Sequence, residues 1–249
     1  LVSKQTKRYP QDISYKLDLG KIYEQTERPD KGLEIYEALI NDMPPISYEI
    51  TKLSTEFKNS GKYDLALTTL TKGRKLLGKK YNLNFYFADL YSIQGKNELM
   101  IEDYFDLIDL QPNYRYTVET MLSWQFDFTE ENKDADLLRV KILERIRKHP
   151  SDTKYDELLI WFFIQKKDFT SALSQSKALD KKSKGMGRDV FNLGSIAMSN
   201  QDYKIARKAY KYVADLQDKS SLSGLAQNKL LRVSYLELTT KRNFSTAEL

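Results

Sequence analysis

The sequence predicts an all-α solenoid of antiparallel helix pairs, and three observations predict it. Punctuation is sparse: 10 Gly and 6 Pro in 249 residues are too few for the turns of an all-β fold, while helix-forming residues such as Leu, Lys and Glu are plentiful. Pro10, Pro44 and Pro112 stand 34 and 68 residues apart. A second series keeps the same step, with Gly32, Ala66 and Met100 at intervals of 34, and Leu138, Ala172 and Ala206 likewise. A fixed period of this size marks stacked supersecondary units.

The period breaks once. Met100 to Leu138 is 38 residues, and Pro112 to Pro150 is also 38. Four extra residues within the stretch 126–134 account for both offsets. The repeats then fall at about 13–46, 47–80, 81–114, 115–152, 153–186 and 187–220, with a further helix expected over 221–238.

Each repeat carries the same two faces. The first reads Lys16, Leu19-Gly20, Tyr23, then Gly32, Tyr36 and Pro44; the second reads Ile50, Leu53-Ser54, Phe57, Ala66, Leu70 and Gly78. The third has Asn84, Phe87-Ala88, Tyr91, Met100, Tyr104 and Pro112. The fourth departs most, with Val118, Met121-Leu122 and Gln125 before the insertion and Leu138, Ile142 and Pro150 after it. The fifth gives Asp156, Leu159-Ile160, Phe163, Ala172 and Ser176, and the sixth Val190, Leu193-Gly194, Ala197, Ala206 and Tyr210. A Leu, a small residue and an aromatic at spacings of three and four share one helical face. Turns such as Ser60-Gly61-Lys62 and Gln94-Gly95-Lys96 separate the two helices, and the proline ends the second.

This pattern resembles the tetratricopeptide repeat, W-x2-L-G-x2-Y followed by A-x3-F and P. The resemblance runs from residue 10 to about 238. It implies six antiparallel pairs stacked in a right-handed superhelix, with half-repeats at both ends. Pro10 holds the closing position of an earlier repeat, and Ser245-x-x-Glu248 reads as a capping box. The native polypeptide is therefore expected to extend past one or both ends.

The residues argue against chemistry. There is no Cys and one His, His149, which precedes Pro150 at an expected helix C-terminus. No nucleophile elbow, thiolate site or dinucleotide loop can be assembled, so no catalytic residue, metal or cofactor is expected. Glu102, Asp103, Asp106 and Asp109 read as a solvated helix face. No run approaches the roughly 20 apolar residues of a membrane span. The compartment is left open between cytoplasm and periplasm.

The net charge of +5 comes from 40 basic and 35 acidic residues, a mixed surface. The basic clusters at 177–184, 204–211 and 145–148 fall on second helices, which the resemblance puts on the convex side. A nucleic-acid-binding repeat is the alternative they suggest, and a purely structural segment of a larger array is another.

The resemblance assigns partner binding to a concave stripe at the second, fifth, ninth and twelfth positions of each repeat. Here that stripe carries Tyr48, Phe85, Tyr116, Phe126, Trp161 and Phe191, an excess of aromatics for a solvent-facing surface. Two readings compete: the groove receives an apolar segment of a protein or peptide partner, or the inserted loop folds back over Trp161. Lys154 and Arg188 are expected to add recognition of an acidic segment. The lysine clamp of some tetratricopeptide cochaperones is absent, because the fifth position reads Leu17, Thr51, Phe85, Glu119, Glu157 and Phe191.

Overall fold

Where the sequence carries glycine or proline punctuation, helices end beside it. The computed structural model describes residues 2–9, 12–26, 28–78, 81–129, 132–217 and 220–240, and among these every regular element is helical. The positions of Pro10 and of Ser245 to Glu248 lie outside the described residues.

Two compact units make up the chain, Leu1–Gln111 and Pro112–Leu249. The first contains α1 (Val2–Arg8), α2 (Ile13–Gln25), α3 (Pro29–Asn41), α4 (Ser47–Asn59), α5 (Tyr63–Leu77), α6 (Asn84–Ile93) and α7 (Asn97–Leu110). A 3-10 turn, Pro112–Tyr114, opens the second. It is followed by α8 (Arg115–Gln125), α9 (Lys133–Lys148), α10 (Lys154–Gln165), α11 (Phe169–Ser183), α12 (Arg188–Ser199), α13 (Tyr203–Ala214) and α14 (Ser223–Thr240). α3, α7 and α9 each stop within three residues of Pro44, Pro112 and Pro150, respectively.

Within each unit, neighbouring helices pair: α2 with α3, α4 with α5 and α6 with α7, then α10 with α11 and α12 with α13. Complementary volumes at two repeat positions explain the close approach. The eighth position of the first helix faces the second helix. Where it is Gly20, a methyl group there would lie 2.4 Å from the Tyr36 ring; at Gly194 it would lie 2.9 Å from Tyr210. In the fifth repeat the sizes are exchanged. Ile160 fills the eighth position, and the residue opposite shrinks to Ser176. The Ser176 hydroxyl is buried and has no hydrogen-bond partner among the described residues, so the position selects for size. The fourth repeat has a large residue at both, Leu122 and Ile142, and its α8 and α9 lack the close backbone approach of the other pairs. Both instead pack on α10.

The turns inside the pairs share one geometry built from different residues. After α4, Gly61 is left-handed at φ 71°; its N–H donates to the Lys58 carbonyl, and that of Lys62 to Phe57. After α6, Gly95 does the same. After α10 and α12 the left-handed residue is Lys167 or Gln201, with the same two hydrogen bonds. There Asp168 and Asp202 cap the next helix, accepting from the backbone N–H of Ser171 and Ile205.

The acidic run on α7 is not wholly solvated. Asp103 has a side chain only 13% exposed and pairs with Arg74 at 2.9 Å. Arg74 in turn lies 3.8 Å over the Phe87 ring. This carboxylate is part of the packing, which its helical spacing alone did not reveal.

A candidate partner-binding cleft

The helix with the sequence Leu158 to Ile164 is apolar all round, which calls for burial on every side. α10 provides it for Leu158, Leu159, Ile160 and Phe162, all buried; Trp161, Phe163 and Ile164 stay half-buried. The inserted stretch supplies part of the cover. Phe126 is 5% exposed and packs edge-on against Phe128, whose ring meets Trp161 at 5.6 Å and Phe162 at 5.8 Å. Phe126 therefore belongs to the core and does not line an open groove. The chain turns extended at Phe126, carrying its ring inward at the end of α8.

The other face of Trp161's neighbourhood remains open. A cleft of about 320 Å³ is lined from three first helices of the second unit. α8 gives Arg115, Tyr116 and Glu119; α10 gives Glu157, Ile160, Trp161, Ile164 and Gln165; α12 gives Asp189, Asn192, Leu193 and Ile196. Five residues of the expected stripe thus come together: Tyr116, Glu119, Glu157, Trp161 and Ile164. On α12 the stripe residues Arg188 and Phe191 are replaced by the edge turned toward α10. Phe191 packs on Tyr210 inside its own pair at 5.2 Å, and Arg188 is exposed in a neighbouring hollow with Glu157, Lys184 and Asp189. Lys154 is half-buried and pairs with Asp152 at 2.6 Å.

Charge in the cleft is organised by Arg115. Its guanidinium bonds the Glu119 carboxylate, reaches Glu157 at 3.0 Å, and stacks over the Tyr116 ring at 4.2 Å. Burial pushes the Glu119 carboxyl above the ordinary range, with Arg115 opposing and Glu157 adding to the rise. Glu157 is raised too, first by burial, with Arg115 opposing and then by repulsion from Asp189, Asp152 and Asp156. Tyr116 remains 69% exposed despite its stacking partner.

The corresponding stripe in the first unit is closed differently. Lys58 on α4 and Asp89 on α6 form an ion pair at 2.7 Å across it. Tyr48 is exposed, and Phe85 is half-buried edge-on to Tyr86. Trp124, 77% exposed on α8, is a large aromatic that sequence reasoning missed, because the tenth repeat position belongs to neither stripe.

No protein-family model matches the sequence, and no curated protein does. Among solved structures, the C-terminal part of a TPR repeat-containing protein from Cytophaga hutchinsonii is similar at 13% identity and a TM-score of 0.39, over 91% of this chain and 90% of that one. The TPR2AB domain of yeast Sti1, in its complex with pHSP90, is similar at 13% identity and a TM-score of 0.29, over 89% and 98%. What decides the architecture is this chain's own register, in which small and large residues recur at matched positions of every pair but the fourth. Within each unit the fold is a run of antiparallel helix pairs with a tetratricopeptide-like register. Among the described residues no helix is long and apolar enough to cross a membrane.

Proposed function

We propose that the chain is a protein-interaction scaffold whose docking surface is the cleft between α8, α10 and α12. One observation carries the reading: Tyr116 and Trp161 present accessible aromatic surface beside an apolar floor in which the half-buried Ile164 and Ile196 adjoin the buried Ile160 and Leu193. Rigid aromatic side chains next to a partly dry floor are the usual anchors of protein interfaces. Lys154 and Arg188 flank this surface without lining it.

A nucleic-acid partner fits the same face poorly. Glu119, Glu157 and Asp189 would repel phosphate, and several basic residues outside the cleft are paired, Lys182 with Asp156 and Arg207 with Glu237.

The test uses the immobilised full chain, with captured proteins quantified by mass spectrometry. Tyr116→Ala removes an exposed ring and should leave the helical circular dichroism unchanged. Specific interactors should fall at least about tenfold. Trp161→Ala should do the same, with near-ultraviolet spectra checking the Phe128 contact. An interactor set unchanged by either substitution would overturn the assignment.

A further inference from the structure

The cleft has a sign as well as a shape. Three carboxylates line it, from Glu119, Glu157 and Asp189, against one guanidinium, from Arg115. That guanidinium is engaged by Glu119 and Glu157 together. Asp189, in the first turn of α12, has no ion-pair partner among the described residues, and it faces the same space. Lys154, the nearest lysine on α10, binds Asp152 outside the cleft lining. Burial is the main cause that lifts the Glu157 carboxyl; Arg115 opposes the rise, and repulsion from Asp189, Asp152 and Asp156 adds to it.

Tyr116 lines the same cleft as the apolar residues and the three carboxylates. Its ring already holds one guanidinium at 4.2 Å, and most of its surface is still exposed. A second cation arriving there gains from the ring and from Asp189 and Glu157 together. We propose that the occupant of this cleft is a cationic protein segment, one that places a Lys or Arg against Tyr116, Glu157 and Asp189 beside an apolar side chain seated on Trp161 and Ile164. This reverses the charge preference that Lys154 and Arg188 suggest in the sequence. It rests on the docking role of the cleft proposed above.

Selection from a random-peptide display library on the immobilised full chain tests the inference separately from that role. Enrichment of peptides joining basic and apolar residues is the expected result, with binding weakened about tenfold by Glu157→Gln combined with Asp189→Asn. The same peptides should lose affinity as salt rises. Neutral or acidic peptides that are enriched, and lost on Tyr116→Ala, would overturn the cationic occupant and leave the docking surface standing. No enrichment, or enriched peptides insensitive to Tyr116→Ala, would overturn both.

Discussion

Gly194→Ala isolates the volume rule that joins the helix pairs. In an exposed helix the change would stabilise, because alanine exceeds glycine by about 1 kcal/mol in helix propensity. Here the added methyl group would lie 2.9 Å from Cε1 of Tyr210 and 3.1 Å from two further ring atoms. Tyr210 cannot easily yield. It is fully buried, its hydroxyl is 3.0 Å from the Ser195 hydroxyl, and its ring is edge-on to Phe191 at 5.2 Å. Overpacking of this kind costs about 1–3 kcal/mol. The net expectation is a loss of up to about 2 kcal/mol, the clash outweighing the propensity gain because Tyr210 is held on several sides. In a Tyr210→Leu background the ring is gone, and the same Gly194→Ala should become stabilising by about 0.5–1 kcal/mol. Urea unfolding of the four variants, followed by circular dichroism, gives the coupling directly. An effect of Gly194→Ala with the same sign in both backgrounds would refute the rule.

Two further outcomes test features of the separate units. Gln201→Gly relieves a left-handed non-glycine residue at φ 62° and should raise stability by about 1 kcal/mol, read as a higher midpoint in thermal melts. Burial lifts the Asp103 carboxyl to about 6 from its ordinary 3.8, against the pull of Arg74. A folded pKa above the unfolded one contributes stability below 3.8 that is lost as pH rises through about 6. Asp103→Asn should therefore flatten that fall, worth at most about 3 kcal/mol, in urea titrations across the window; an unchanged slope would contradict it.

The repeat period, the pairs and the proline stops could all be read in the sequence, since each depends on spacing along one chain. The glycine turns at Gly61 and Gly95 were equally plain, because positive φ has a residue preference. Their counterparts at Lys167 and Gln201 carry no such mark. The hydrogen bonds around them impose the conformation, together with the caps from Asp168 and Asp202. In the candidate site, helical phase put Tyr116, Glu119, Glu157, Trp161 and Ile164 on one stripe, and all five line the cleft. It misassigned Phe126, since the chain leaves the helix at that residue and the phase no longer applies. The sign of the cleft was hidden for another reason. It depends on which edge of α12 turns toward α10, and this brings in Asp189 instead of Arg188.

The inserted stretch shows how such an array accommodates a change in length. Four residues added within 126–134 would shift every later side chain in a sheet, where pairing partners are fixed along the whole strand. Here each helix closes its own hydrogen-bond ladder, so the displacement ends inside a single pair and the period resumes at the next one. Phe128 packs edge-on against Trp161 and is backed by Phe126, while Trp161 also lines the cleft. An insertion between the two helices of a pair can thus reshape one face of the array in a single mutational event while the downstream helices stay in step.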